Sequence, residues 1–269
     1  MGLRINTNIP ALNAQRQTRR TSNDLLANLE KLSAGLRINR AADDAAGLAI
    51  AERLRTRVRQ YTQEASNLQY GVNAIQTAEG GMAEQQSGLQ RLRELATQAA
   101  NGTLSDEQRA ALNAEAQQIV EQIGAIADQT EFNGLNLLNG TAGTIELGTE
   151  GGNEITINES TVTALGLGGI DLTTQAGATN ALADIDAAVN RVSQNRANLG
   201  AQENRLNRAI EQREIGIVNE QAAESRIRDL DYAREVVQQT RNQILLEGGV
   251  AVLVQANMLP QTAARLLGG

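Results

Sequence analysis

A heptad repeat constrains this chain more than any other feature. Leu54, Val58, Tyr61, Ala65, Leu68, Val72, Ile75, Glu79, Met82, Gln86 and Leu89 alternate spacings of four and three residues without a break. A repeat averaging 3.5 residues predicts a left-handed coiled-coil seam. The helix is expected from about 44 to 100, and at 1.5 Å per residue it would be about 80 Å long. Asn101-Gly102 stops it, glycine being suited to a left-handed cap. Ser105 with Gln108 reads as a capping box, and Asp106 and Glu107 suit the positive end of the next helix. Leu112, Ala116, Ile119, Ile123 and Ile126 continue the four-three spacing, so the short turn predicts antiparallel neighbours. A third long helix is expected from about 178 to 225. Ile185, Val189, Val192, Leu199, Leu206, Ile210 and Ile217 share its frame, with Arg196, Glu203 and Arg213 on the same seam. Polar seam residues, including Glu79 and Gln86, either signal a shifted register or fix it at some expense of stability.

Residues 130–174 change character. Asn133-Gly134, Asn139-Gly140 and Gly151-Gly152 are turn signals. Thr144–Leu147 and Glu154–Asn158 are short and alternating, and predict a β-hairpin near 141–160. Both ends carry further helical stripes. Ile5, Ile9 and Leu12 form one; Leu25, Leu29, Leu32 and Leu36 form another. Leu230, Val237, Ile244, Ala251 and Leu253 form a third near the C-terminus. Neither end has an evident partner except the other, so the terminal helices are expected to pair. The fold class is mainly α: a long antiparallel coiled-coil hairpin or bundle, a small β-hairpin, and paired terminal helices.

Composition narrows the chemistry. Of 269 residues none is Cys or His, which excludes disulfides, thiolate catalysis and imidazole as base or ligand. No cofactor or metal is expected. Aromatic residues make up 1%, so Leu, Ile, Val and Ala must carry the burial. The net charge of −7 argues against general nucleic-acid binding. Arg16, Arg19, Arg20, Arg37, Arg40, Arg53, Arg55, Arg57 and Arg59 make the first 60 residues basic, whereas 141–190 has no Lys or Arg. This asymmetry reads either as solvated helix faces or as head-to-tail attraction between copies. No stretch has signal-peptide character, and none reaches the roughly 20 apolar residues of a membrane span. Asp43-Asp44 could suggest a carboxylate pair for catalysis; adjacent acids more commonly mark a turn or open a helix.

The segments named above resemble those of bacterial flagellins. The resemblance rests on RINTNIPALNAQR (4–16), LEKLSAGLRINRAADDAAGLAIAERLR (29–55), IQTAEGGM (75–82), LQRLRELATQAANGT (89–103) and TEFNGLNLLNG (130–140). It continues through NRVSQNRANLGAQENRLNRAI (190–210), SRIRDLDYARE (225–235) and QANMLPQTAARLL (255–267). Gly81 and Gly248 stand where the family usually has Ala, and Arg40 and Ala42 depart from its linker pattern.

The resemblance implies a non-enzymatic subunit that polymerises into the flagellar filament. Residues 1–34 and 229–269 would form an inner terminal coiled coil, 35–43 a spoke, and 44–228 a rod-like helical domain, with no outer variable domain. Its assembly seams would be Ile5, Ile9, Leu12, Leu25, Leu29, Leu32, Val237, Ile244 and Leu253. Partners would be other copies of the chain, an export chaperone of the flagellar type III route, the filament cap and hook-associated proteins. The location would be the extracellular filament. The animal Toll-like flagellin receptor would contact Gln90, Arg91, Leu95 and Glu115. A hook–filament junction protein of the same superfamily would share the ends but less of the middle. A signalling coiled coil would share the heptads but neither the terminal motifs nor the polymerisation.

Overall fold

The computed structural model describes residues 7–149 and 152–267, with the backbone alone described over 259–267. Among the described residues six α-helices and four short strands follow one another: α1 (Ile9–Ala34), α2 (Ala45–Ala99), α3 (Asp106–Gln129), β1 (Glu131–Phe132), β2 (Leu135–Asn136), β3 (Thr144–Glu146), β4 (Glu154–Thr156), α4 (Val162–Leu165), α5 (Gln175–Arg228) and α6 (Tyr232–Leu267). Two compact units emerge: residues up to 58 with those from 218 onward, and residues 59–217. These units part inside α2 and α5, whereas the division expected at 43/44 and 228/229 follows the helix ends.

The 59–217 unit is built on α2. Its heptad is buried where it runs through Leu68, Val72, Ile75, Met82 and Leu89. Against it α5 runs antiparallel: Glu64 meets Arg213, Gln76 meets Glu203, and Arg93 meets Asp186. Ile185, Val192, Leu199 and Leu206 close the seam. The polar interruptions of the two heptads coincide. Arg196 donates to Gln86 Oε1 at 2.6 Å and to Glu79 Oε1 at 3.3 Å. The register read from sequence is therefore right, and its polar positions are partners. Each bond is satisfied only in this alignment, which sets the longitudinal position of α5 on α2.

On another face of α2, α3 packs antiparallel through Ala116, Val120, Ile123 and Ala127. Its capping box forms as expected: Ser105 Oγ accepts from Gln108 N–H and Gln108 Oε1 accepts from Ser105 N–H. A buried arginine that sequence reasoning passed over seals the turn. Arg109 donates to the carbonyl of Ala99 at the end of α2, where helix carbonyls lack intrahelical partners, and to those of Asn101 and Leu104 in the turn. Gln85, fully buried, bridges α2 to the carbonyls of Ile123 and Ser160, while Ser160 Oγ donates back to its amide oxygen.

The expected hairpin is present as β3–β4, with Ile145 opposite Ile155. It sits over Gly71, where a Cβ would lie 2.7 Å from Leu147 Cδ1 and 2.9 Å from Ile155 Cδ1. Gly151 lies outside the described residues; Gly152 has φ +63. Two elements were unforeseen. Asn133-Gly134, read as a turn, carries positive φ at both positions and closes a second minimal hairpin, β1–β2. Short α4 starts at Thr161, whose side chain caps Ala164 N–H, and ends at left-handed Gly166. Asn101 and Asn139 accept the backbone N–H groups of Thr103 and Thr141, so these Asn-Gly-Thr triplets act as turns.

The two anomalous glycines differ in kind. At Gly81 a Cβ would stand 2.5 Å from Thr130 Oγ1, which is itself tied to the Ile126 carbonyl. At Gly248 there is open space. Helix propensity favours Ala over Gly by about 1 kcal/mol at both sites, but overpacking costs about 1–3 kcal/mol. Gly81→Ala should therefore lower stability in urea unfolding by about 1 kcal/mol, whereas Gly248→Ala should raise helicity by circular dichroism. Equal effects of the two changes would contradict the packing described at Gly81.

Candidate functional site

The terminal helices occupy the other unit and pair with each other. Asn8 caps α1 by accepting from Ala11 N–H, and Gly35, with φ +69, ends it. Between α1 and α6 the chain crosses a short antiparallel bridge, in which Arg37 N–H donates to the Arg228 carbonyl and Leu230 N–H to that of Gly35. Asp43 and Asp44 serve the backbone here. Asp43 accepts from the N–H groups of Asn39 and Arg40, and Asp44 from that of Gly47 at the start of α2. Both carboxylates of the suspected catalytic pair are spent on local turns. Arg40, the departure from the linker pattern, finds Glu30 at 2.7 Å.

The α1–α6 seam is itself a heptad, but of unexpected composition. Its partly or fully buried residues on α1 are Ala11, Ala14, Thr18, Thr21, Leu25, Asn28 and Leu32. On α6 they are Glu235, Gln239, Asn242, Leu246, Gly249, Leu253 and Ala256. Small side chains allow close approach: a Cβ on Gly249 would lie 2.9 Å from Thr18 Oγ1. Asn8 Nδ2 reaches the Ala256 carbonyl at 2.8 Å. Thr21, Asn28 and Asn242 are buried, and the Asn28 amide, oriented by its neighbours, accepts from Asn242 Nδ2 at 3.0 Å and donates to Glu235 Oε1 at 3.0 Å.

Of the stripe residues taken from sequence, Leu25, Leu32 and Leu253 lie on this intramolecular seam. Ile9, Leu12, Leu29, Val237 and Ile244 do not; they are 42–63% exposed. Ile5 lies outside the described residues. Leu26, Leu245, Val250, Val252, Val254 and Met258 add to the uncovered apolar surface of the two helices. An exposed aliphatic is unremarkable singly, but a concentration on two adjacent helices marks an interaction surface. The seam heptad through Thr18, Thr21, Leu25, Asn28 and Leu32 shares two leucines with the stripe read from sequence, so apolar spacing alone does not separate the two sets.

The second candidate cluster lies on the 59–217 unit. Gln90, Arg91 and Glu115 are exposed, and Arg91 bridges helices by donating to Glu115 at 2.8 Å while also holding Glu94 at 3.0 Å. Glu115, and then Glu94, hold the guanidinium pKa above its ordinary value. Leu95 corrects the expectation of a surface contact: it is 1% exposed and belongs to the hydrophobic core. Among the described residues no acidic cluster could hold a metal ion, and no helix is long and apolar enough to cross a membrane.

Comparison with known proteins agrees with this geometry. Residues 5–143 match the family described as bacterial flagellin N-terminal helical region, and residues 182–267 match bacterial flagellin C-terminal helical region. A flagellin of Halalkalibacterium halodurans is 45% identical, over 98% of this chain and 99% of the relative. A Bacillus subtilis flagellin is 38% identical over 98% of this chain and 100% of its own. The crystal structure of Bacillus cereus flagellin, 30% identical, covers 55% of this chain and 88% of that one at a TM-score of 0.50. This chain belongs to the bacterial flagellin family. It is a structural subunit of the flagellar filament, not an enzyme, and it self-associates.

The Asp43 turn gives a pH test. Its carboxyl pKa is held below the ordinary 3.8, chiefly by the Arg40 backbone N–H. A depressed pKa stabilises the turn above the unfolded value and is lost as pH falls through the folded one. Amide protection at Asn39 and Arg40 should therefore persist at pH 3.8 and vanish only below it. Protection lost well above pH 3.8 would contradict this capping.

Proposed function

We propose that the uncovered faces of α1 and α6 are the surfaces through which copies of this chain bury one another in the filament. The observation that carries this is the half-exposed set Ile9, Leu12, Leu29, Val237 and Ile244 beside a seam that is already closed. A pairing between unlike surfaces of successive copies does not close on itself and generates an open helical fibre. In this reading 1–34 and 229–269 form the inner coiled coil, 35–43 the spoke and 44–228 the rod-like part of each subunit. The chain reaches the extracellular filament by flagellar type III export. An export chaperone covers the apolar C-terminal face beforehand, and the cap and hook-associated proteins meet the filament ends.

Burial of one leucine-sized side chain is worth about 1.5–3 kcal/mol, and 1.4 kcal/mol is tenfold in an equilibrium constant. Leu29→Glu and Ile244→Glu should each raise the critical concentration for polymerisation by roughly tenfold or more, read by sedimentation after seeding. Helicity should be unchanged, because both residues are largely exposed in the single chain. Unaltered polymerisation of both variants would remove these faces from the interface.

By family resemblance, Gln90, Arg91 and Glu115 also present a polar patch to the animal Toll-like flagellin receptor. An exposed arginine poised between two carboxylates can exchange partners for a receptor group without loss of burial. Arg91→Ala should reduce activation of receptor-bearing cells by at least tenfold, while leaving the fold intact. Failure of the unmodified monomer to activate such cells would dismiss the patch as a receptor site.

A further inference from the structure

The polar layer in the terminal helix pair has no evident stabilising purpose. Both helices carry greasier faces than the ones they use: Leu26 and Leu29 on α1, Ile244 and Leu245 on α6, all at least 42% exposed. Pairing through those faces would bury more hydrocarbon. The chosen seam instead buries Thr21, Asn28 and Asn242. We propose that the Asn28–Asn242–Glu235 layer is a specificity device, which selects the face and the register at which α1 meets α6 and reserves the apolar faces for neighbouring copies.

The reasoning is one of differences between alternatives. In the observed alignment the Asn28 amide is answered on both sides: it accepts from Asn242, and it donates to the Asp24 carbonyl and the Glu235 carboxylate. A slip of seven residues preserves the heptad pattern but brings Gly249 or Glu235 to the place of Asn242, and neither has a side-chain donor for the Asn28 amide oxygen. The buried amide oxygen of Asn28 would then be left without its donor. A buried, unanswered polar group is penalised more heavily than a formed bond is rewarded, so the layer acts mainly against wrong pairings. A single polar residue on a coiled-coil seam is known to specify register at a cost in stability. Thr18 opposite Gly249 adds steric force: a close approach is available where glycine meets threonine and is lost when the glycine is displaced. The assignment rests on the filament reading above, since the reserved faces matter only if copies must use them.

The chain has no cysteine, so introduced thiols report register without interference. A Cβ on Gly249 lies 3.8 Å from Thr18 Cβ, about the usual separation across a disulfide of roughly 3.8 Å. Thr18→Cys with Gly249→Cys therefore marks the observed register, and Thr18→Cys with Ala256→Cys marks a slip of one heptad. Each pair is placed in the full chain, assembled into filaments, oxidised mildly, then dissociated; intrachain cross-links are read by gel mobility. With Asn28 and Asn242 present, only the first pair should cross-link. In the background Asn28→Leu with Asn242→Leu, the first should fall at least threefold and the slipped pair should appear, with helicity retained or raised.

Unchanged cross-linking in that background, with no slipped product, would overturn the proposal. So would loss of helicity in the double variant, which would make the layer a stabilising element instead of a selective one. Filament yield is measured in parallel by sedimentation. A chain that fails to polymerise even with both asparagines present counts against the filament reading, whereas the cross-link pattern of polymerising variants bears on register alone.

Discussion

Helices of 55 and 54 residues, α2 and α5, are not sustained by their own hydrogen bonds, which compete with water at every turn. They depend on a continuous strip of excluded hydrocarbon. Leu68, Val72, Ile75, Met82 and Leu89 of α2 meet Ile185, Val192, Leu199 and Leu206 of α5, and everything else in the 59–217 unit is laid against that strip. The helix α3 covers another side, and the β3–β4 hairpin rests where Gly71 leaves room. With so few aromatic rings available, burial comes from many small increments along the seam. A change at one layer is felt mainly by the layers next to it.

Hydrocarbon strips of this kind hold helices together but align them poorly, since one heptad looks much like the next. Both units solve the alignment in the same manner, with polar groups that find partners in one register. Arg196 spans Glu79 and Gln86, and Arg213 meets the buried Glu64 at 2.8 Å. Between the terminal helices, Asn28 and Asn242 play the corresponding part. The difference lies in what remains uncovered. In α2 and α5 the hydrocarbon is largely consumed within the chain; in α1 and α6 much of it is left outside the seam. A subunit whose interior is finished and whose termini are not is suited to polymerise instead of associating at random.

Much of this was legible in advance because helical periodicity is a local property. The bounds of α2 were expected at about 44 and 100 and fall at 45 and 99; the Ser105 capping box and the β3–β4 hairpin appear where their residues predict. Less legible were elements whose cause lies elsewhere in the chain. Arg109 looks like any helix-surface arginine until the end of α2 is brought beneath it. Gly81 looks like a weak point until Thr130 arrives against it. Leu95 was expected to be at the surface by resemblance and lies off the heptad read from sequence; its burial follows only from the packing of the helices around it.

The amino-acid sequence by itself determined which segments are helical, where they start and stop, and which positions of each are apolar, because these follow from nearest-neighbour sterics and spacing along one chain. It also determined the family, through motifs spread over nearly the whole length. Only the tertiary structure decided which of two competing faces the terminal helices would use on each other. That choice turns on whether distant amides such as Asn28 and Asn242 come within bonding distance. A hydrogen bond between residues so far apart in the chain has no local signature; it exists only once the two helices are side by side.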